Sequence, residues 1–355
     1  MRTAARRADA VALSDVEQMD ITRVDVLDDA AVDAWWRVYA AAERADRGAE
    51  IPVWTLGESR FELQQQTDTI DRRAYLVRQD GEIVASARLA LPLRDNVRRA
   101  SLGVHVDPAH RRRGIGSAVL AALEAEAAAE GRTILEAEVS WPYSAGEDGA
   151  GSPGRAFAAR HGYALALGDV QSRLRLPVDA ALLDELEAGA SASARGYAVH
   201  SWRGPVPEKF VHDWAALDAA IETEAPTGER EVEAPTAAVA EVRATEALLV
   251  QQNRIGFGTV AVDADGRAVA YTQIVVSGDD GNAYQWGTLV PPDARGHRLG
   301  TAVKVANLRL LMRESPDTRQ VLTYNAGVNE HMLRINRALG FAPSERMGEF
   351  QKRLP

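Results

Sequence analysis

Short stretches of alternating apolar and polar residues run through this 355-residue chain, separated by longer stretches in which apolar residues recur every three or four positions. Period two marks a strand with one buried face, and the longer spacing marks a helix. The pattern predicts a strand at 21–26, a helix at 30–44, a polar segment to about 70, and strands at 74–78, 83–91 and 99–106. A helix at 118–130 follows, with Val119, Leu120 and Leu123 on one face, and Gly131 ends it. A strand at 133–139, a helix at 154–161 and a closing strand at 171–176 complete the series. The order then restarts with a strand at 197–202 and helices at 208–221 and 235–251. Strands at 257–262, 268–276 and 283–289, a helix at 301–313, a strand at 321–325, a helix at 329–339 and a last strand near 349–353 follow. This order predicts an α+β fold in which each half is a mixed, mostly antiparallel sheet with helices on both faces.

The two halves repeat each other. Val106 and Val290, Pro108 and Pro292, Arg111 and Arg295, Ile115 and Leu299, Gly116 and Gly300, and Ser117 and Thr301 are each 184 positions apart. The hairpin signals Asp80-Gly81 and Asp265-Gly266 are 185 apart, and Gly162-Tyr163 and Gly340-Phe341 are 178 apart. A period this long means two domains in tandem rather than a solenoid. The expected division is a disordered tail over 1–19, a first domain over 20–177, a linker over 178–195 and a second domain over 196–355. Within the linker, 178–187 reads as a helix and the small residues of 188–195 as the boundary.

Composition narrows the chemistry. No cysteine is present, which removes disulfides, thiolate metal sites and thiol nucleophiles, and no metal is expected. No apolar run reaches the roughly 18 residues of a membrane span, and the basic first ten residues lead into no apolar core. Cytoplasm is the expected compartment. A net charge of −10 argues against nucleic acid as a partner and suits a cationic substrate.

In each half a strand runs into a proline turn, a basic glycine-bearing loop and a helix. Such a loop directs backbone N–H groups and a helix N-terminus at one spot, a ready place for a phosphate. In the first half the candidate residues are Val104, Val106, Arg111, Arg112, Arg113, Gly114, Ile115, Gly116 and Ser117. In the second they are Leu289, Val290, Arg295, Gly296, His297, Arg298, Leu299, Gly300 and Thr301, with Arg298 where the first glycine is expected.

The run Arg111 to Gly116 resembles the (Gln/Arg)-x-x-Gly-x-(Gly/Ala) acyl-CoA loop of the Gcn5-related N-acetyltransferase (GNAT) superfamily. Arg295 to Gly300 is similar, and the stretch from Asn329 to Leu339-Gly340-Phe341 looks like the family's fourth-helix signature. The likeness covers nearly the whole chain as two tandem domains, as in members of the mycothiol-synthase-like, actinobacterial type. It implies acetyl-CoA as co-substrate, with pyrophosphate on the loop amides, pantetheine between splayed strands and Asn329 among the binding residues. It also implies direct attack of a small-molecule amine on the thioester. That attack needs a base for the ammonium proton and an N–H for the oxyanion.

The family's usual acid, a tyrosine on the fourth helix, is replaced by Ala158 in the first half and Asn336 in the second. The first half has the better glycine loop. The second has more polar side chains on its strands: Tyr284, Gln285, Thr288, Thr323, Tyr324 and Asn325. With the acidic segment Glu222, Glu224, Glu229, Glu231 and Glu233, this favours the second half for acetylation and Glu224, Thr288, Asn325 and Asn336 as catalytic groups, the first half binding acyl-CoA. The reversed division, with the intact loop marking the active half, stands close behind. Glu136 and Glu138, on one face of a strand, are a lesser candidate base, and His105 reads as a structural histidine. The other class of function is a non-catalytic acyl-CoA-binding or scaffold protein with decayed acceptor sites. Two domains of this kind suit a monomer or a homodimer.

Overall fold

The computed structural model describes residues 19–48, 51–65, 69–224, 237–326 and 329–355. Among the expectations above, the tail before Met19 and the carboxylates Glu229, Glu231 and Glu233 lie outside them. The chain divides into two compact units that do not follow the repeat boundaries. The first comprises 1–141, 151–165 and 349–355, and the second 142–150 and 166–348.

In the first unit, strands β1 (Met19–Arg23), β2 (Ile70–Gln79), β3 (Glu82–Pro92) and β4 (Arg99–Val106) pair antiparallel in chain order. Strand β5 (Ile134–Pro142) joins β4 in parallel, but only over Arg99–Ser101 against Ile134–Glu136. Beyond Ser101 the two strands part. The last residues of the chain sit beside β5: Gln351 donates to Glu136 at 2.8 Å, the Leu354 N–H to the Thr133 carbonyl at 2.9 Å, and Lys352 to both Glu124 oxygens at 2.8 Å. Helix α1 (Asp29–Arg47) lies on β3 and β4 and buries Val32, Trp35, Val38, Ala40 and Ala42. The Trp35 indole donates to the Ala87 carbonyl at 2.8 Å, so this tryptophan serves the core. Helix α2 (Leu56–Gln64) falls in the segment that the hydrophobic pattern leaves without an element. Its signal is a capping box: Thr55 accepts from the Glu58 N–H, and Glu58 accepts from the Thr55 N–H. Helices α3 (Ile115–Ala129) and α4 (Pro153–Arg160) complete the unit.

The second unit repeats the plan. Strands β7 (Ala198–Arg203), β8 (Arg254–Val262), β9 (Ala268–Ser277) and β10 (Asn282–Leu289) pair antiparallel. Strand β11 (Gln320–Ala326) pairs with β10 in parallel only through Gln285↔Thr323, and a bulge interrupts β10 against β9 between Gln285 and Thr288. Strand β6 (Ala164–Arg175), which the repeat places at the close of the first half, pairs antiparallel with β11. Strand β12 (Ala342–Arg353) follows β6 in the sheet and is longer than the pattern predicts. Its residues through Gly348 belong to the second unit. The expected linker is helix α5 (Ala180–Ser193), packed on α8 (Leu299–Glu314), with Leu183 fully buried in the core. Its run of Ala and Ser propagates the helix where small polar residues suggested a boundary. Helices α6 (Val211–Glu224), α7 (Val239–Gln251) and α9 (Glu330–Ala338) complete the unit.

One core position is chemically unusual. Lys304 on α8 is buried at 2% exposure, its ammonium 5.9 Å from the Phe341 ring centroid, where the repeat puts Leu120 in the first unit. Burial disfavours the charged form and lowers its pKa from 10.5 to about 7. Between those values the unfolded chain binds more protons than the folded one, so stability rises with pH across that window and the penalty is fully present below it. Lys304→Leu is therefore expected to raise Tm at pH 7 by several degrees, at roughly 2–4 °C per kcal/mol for a domain of this size. It should also flatten the dependence of Tm on pH between 7 and 10.5, which calorimetric melts across that range will check.

Candidate active site

The parting of β4 from β5 sets the site of the first unit. The Asp107 N–H bonds to the Val84 carbonyl on β3 at 3.0 Å. Backbone groups alternate along a strand, so the N–H and C=O groups of Leu102, Val104 and Val106 face the other way, into the gap. At the end of β4 a single turn of 3₁₀ helix (Pro108–His110) leads into the loop. Two of its residues are left-handed, Arg112 at φ 66° and Gly114 at φ 85°. Gly114 caps α3 without a side chain, so the Ile115 and Gly116 N–H groups stay available to an anion, while that of Ser117 bonds to the Gly114 carbonyl at 3.1 Å.

The second loop has the same backbone with the glycine moved. Gly296 (φ 89°) stands where Arg112 does, and Arg298 (φ 54°) where Gly114 does. The missing first glycine is thus an exchange of positions, and Arg298 bears the strain of the left-handed form, about 1 kcal/mol. Its surroundings differ more. The Arg298 guanidinium lies over Gly189 of α5, where a Cβ would come within 2.8 Å of its Nη1. His297 lies 3.4 Å from the Ser193 carbonyl, its ring 5.2 Å from that of Tyr197. The His297 and Arg298 side chains, exposed like those of Arg112 and Arg113, reach α5 and the segment after it.

Arg111 and Arg295 occupy equal places and do equal work. Arg111 Nε donates to the Val106 carbonyl (3.2 Å), Nη2 to the Ala42 carbonyl (3.1 Å) and Nη1 to Asp46 (2.5 Å) at the end of α1. Arg295 Nε donates to the Val290 carbonyl (3.0 Å) and Nη2 to Glu224 (2.8 Å) at the end of α6. Each arginine ties its loop to the end of the preceding strand and to a helix, so its charge is matched within the fold. The second loop glycine is a packing position. A Cβ on Gly116 would touch Phe157 and Val106 at 3.4 Å, and one on Gly300 would touch Ile335 at 3.5 Å and Val290 at 3.7 Å. Next to Gly116, the Ser117 hydroxyl lies 3.0 Å from His161 Nε2, and the Phe157 ring packs on the imidazole. Burial holds the His161 pKa below its usual value.

The four expected catalytic side chains of the second unit do not form one cluster: Asn325 and Asn336 bond to each other, and Glu224 and Thr288 go to other partners. Glu224 pairs with Arg295. Thr288 bonds to Thr272 (2.7 Å), which also accepts from Gln285 (3.0 Å). Asn336, fully buried, donates to Asn325 (2.7 Å), and its own Oδ1 lacks a partner. Asn329 caps α9 by accepting from the Met332 N–H at 3.2 Å. Tyr271, whose hydroxyl donates to Asp218 at 2.6 Å, and Trp214 fill the space between α6 and β9. A Cβ on Gly287 would strike Tyr271 Oη at 1.9 Å, so this ring is seated directly on the bulged strand.

In the first unit the same space holds a polar cluster that the sequence reading left to structure. His105 Nδ1 lies 3.4 Å from Glu43 on α1, and the Tyr39 ring meets the imidazole edge-on at 4.9 Å. The other Glu43 oxygen accepts from Arg47 at 2.6 Å. Burial works to raise the Glu43 pKa, but the hydrogen bond and charge of His105, then Arg47, outweigh it and hold the carboxyl at about 2. Glu43 is therefore ionised throughout the neutral range. Ser86 and Arg88 on β3 lie opposite His105 and Gly103. Two signals for this cluster were in the sequence. Tyr39 and Glu43 follow Trp35 at i+4 spacing along the core face of α1, and Ser86 and Arg88 alternate within an otherwise apolar strand. Glu136 is taken up by Gln351 and by Arg99 at 3.5 Å.

Among the described residues no helix is long and apolar enough to cross a membrane, and no three His, Asp or Glu side chains gather as a metal site. Residues 35–142 match the Acetyltransferase (GNAT) family model. A mycothiol acetyltransferase of Clavibacter sepedonicus is 29% identical over 236 residues, covering 66% of this chain and 67% of that protein. The solved structure of a tandem GNAT protein from the clavulanic acid biosynthesis pathway superposes with a TM-score of 0.77 at 28% identity, over 94% of this chain and 98% of that one. A GCN5-related N-acetyltransferase from Sphaerobacter thermophilus shares the fold at 16% identity, with a TM-score of 0.64 over 95% and 96% of the two chains. With the parted strands and the repeated loop, these likenesses mark residues 35–142 as a GNAT acetyltransferase domain and give the chain the fold of a tandem GNAT protein.

Proposed function

We propose that the protein transfers the acetyl group of acetyl-CoA to a primary amine of a small molecule by direct attack, and that the first unit carries the reaction. The observation that carries this reading is the Glu43–His105 pair on the strand that borders the gap. His105 is placed to take the ammonium proton, and the ionised Glu43 orients its ring and stabilises the imidazolium that forms. The cleft-facing N–H groups of Val104 and Val106 supply donors for the oxyanion. The loop N–H groups of the α3 N-terminus, with Arg112 and Arg113, supply the site for the pyrophosphate. The parted strands leave room for an extended chain between them. The second unit keeps the loop backbone, but its loop side chains lie on α5 and Tyr271 and Trp214 fill its acceptor side. This favours the reversed division of labour over catalysis by Glu224, Thr288, Asn325 and Asn336.

Binding can be tested with charge reversals on exposed loop side chains, since a Gly116 substitution would also press on Phe157 and Val106. In calorimetric titrations with acetyl-CoA, the Arg112→Glu/Arg113→Glu pair is expected to weaken binding by at least about 10-fold. The His297→Glu/Arg298→Glu pair is expected to leave it unchanged. Two binding events, one lost in each variant, would mean that both units bind, and no binding to the parent would end the acyl-CoA reading. For catalysis, His105→Asn should lower kcat by roughly 100-fold or more with acetyl-CoA affinity retained, as expected of a lost general base. Unchanged kcat in a thiol-release assay would remove His105 from the mechanism.

A further inference from the structure

Arg88 is half-buried on β3 yet makes no hydrogen bond or ion pair among the described residues. Most arginines around it are matched: Arg47 holds Glu43, Arg73 holds Asp71, Glu126 and Glu130, and Arg111 holds Asp46. Withdrawing a guanidinium from water without a counter-charge costs free energy, and folds seldom leave one so. The backbone is nonetheless shaped around it. Its side chain lies on Gly103, where a Cβ would come within 2.8 Å of Arg88 Cγ and 2.9 Å of Nε.

The neighbours are the groups assigned to the chemistry. Ser86, two residues before Arg88 and on the same face of β3, is opposite His105, fully buried, and its hydroxyl has no partner. On the facing helix, Tyr39 packs edge-on against His105. Glu43 is engaged by Arg47 and His105 and makes no ion pair with Arg88. By the 185-residue offset of the hairpins, Ser86 and Arg88 correspond to Tyr271 and Gln273 in the second unit. There Tyr271 is bonded to Asp218, and no cation stands at the Arg88 position. A cation at this position belongs to the first unit.

The geometry points to an acceptor that carries a carboxylate close to its amine: Arg88 holds the carboxylate, and the amine lies at His105. This assignment rests on the first unit being the acetyl-transfer site. One guanidinium matches the single charge and planar fork of a carboxylate better than the double charge of a phosphate ester. The net charge of −10 suits cationic partners in general, but at this spot the free charge is positive. The reaction balances simply. The amine nitrogen forms the amide bond and the thioester C–S bond breaks; of the two protons that the ammonium nitrogen loses, one passes through His105 to solvent and the other ends on the departing thiolate.

The test uses short α-, β- and γ-amino acids, each paired with its carboxamide and its phosphonate analogue, titrated into the CoA-loaded protein. At least one amino acid should bind about 10-fold or more tightly than its carboxamide and more tightly than its phosphonate. Arg88→Gln should erase that preference while acetyl-CoA affinity holds, and Arg88→Lys should restore part of it. Equal binding of acids and carboxamides, binding of no acid in the panel, preference for the phosphonates, or a preference that survives Arg88→Gln would each overturn the assignment. Turnover of the same amines is measured separately. Preferred binding of acids without acetylation would leave the Arg88 site standing and count against the acetyl-transfer reading.

Discussion

Both units depend on one constraint: two neighbouring parallel strands must separate, and something must hold the end of the first strand once it has lost its partner. Strand β4 has β5 beside it only through Ser101, and β10 has β11 only through Gln285. The freed strand ends are held by Arg111, which donates to the last carbonyl of β4, and Arg295, which donates to the carbonyl just past β10, each also bonding a carboxylate at the end of a helix. An arginine is suited to this because its fork of donors reaches a carbonyl and a carboxylate at once. With the strand end fixed, the loop, the helix N-terminus and the cleft-facing amides keep a common orientation. An anion-binding loop that swung freely would have to be ordered anew by each ligand, at a cost in affinity.

The two units show what this frame leaves free to vary. The left-handed positions of the loop are kept at 112/296 and 114/298, while glycine moves from one to the other. Beneath the helix, Leu120 becomes a buried lysine. On the acceptor side, His105, Ser86 and Arg88 give way to Leu289, Tyr271 and Gln273. The first unit therefore keeps a polar, partly open cluster where the second has a filled aromatic core with Tyr271 on Asp218. Backbone geometry is retained and side-chain chemistry diverges, which is the expected outcome when a frame is stabilised by backbone bonds and the site is built from side chains.

Much of the frame was legible in the sequence because it is local. The strand–loop–helix units, the repeat offsets and the restart of the order all rest on periodicity and on turn residues. Helix α2 was missed because its nine residues carry little amphipathic contrast, although Thr55 and Glu58 marked its start. The partners of β6 and β12 were not legible, since no local signal says which edge a strand will join. The polar residues of the second unit looked like a site because polar side chains on strands are rare. The structure gives most of them other side chains as partners, as Thr288 and Gln285 with Thr272, Tyr324 with Gln171 and Asn325 with Asn336. The first-unit cluster escaped notice because Tyr39, Glu43, Arg88 and His105 come from three separate elements, and each alone reads as an ordinary residue.

The central claim, that acetyl-CoA is engaged by the first unit, is tested most directly by amide hydrogen exchange followed by mass spectrometry with and without acetyl-CoA. Exchange reports the loop and strand-end N–H groups themselves, free of any substitution. Slower exchange over residues 102–118, with residues 286–302 unchanged, is the result this account predicts. Protection confined to 286–302 would contradict it and move the reaction to the second unit.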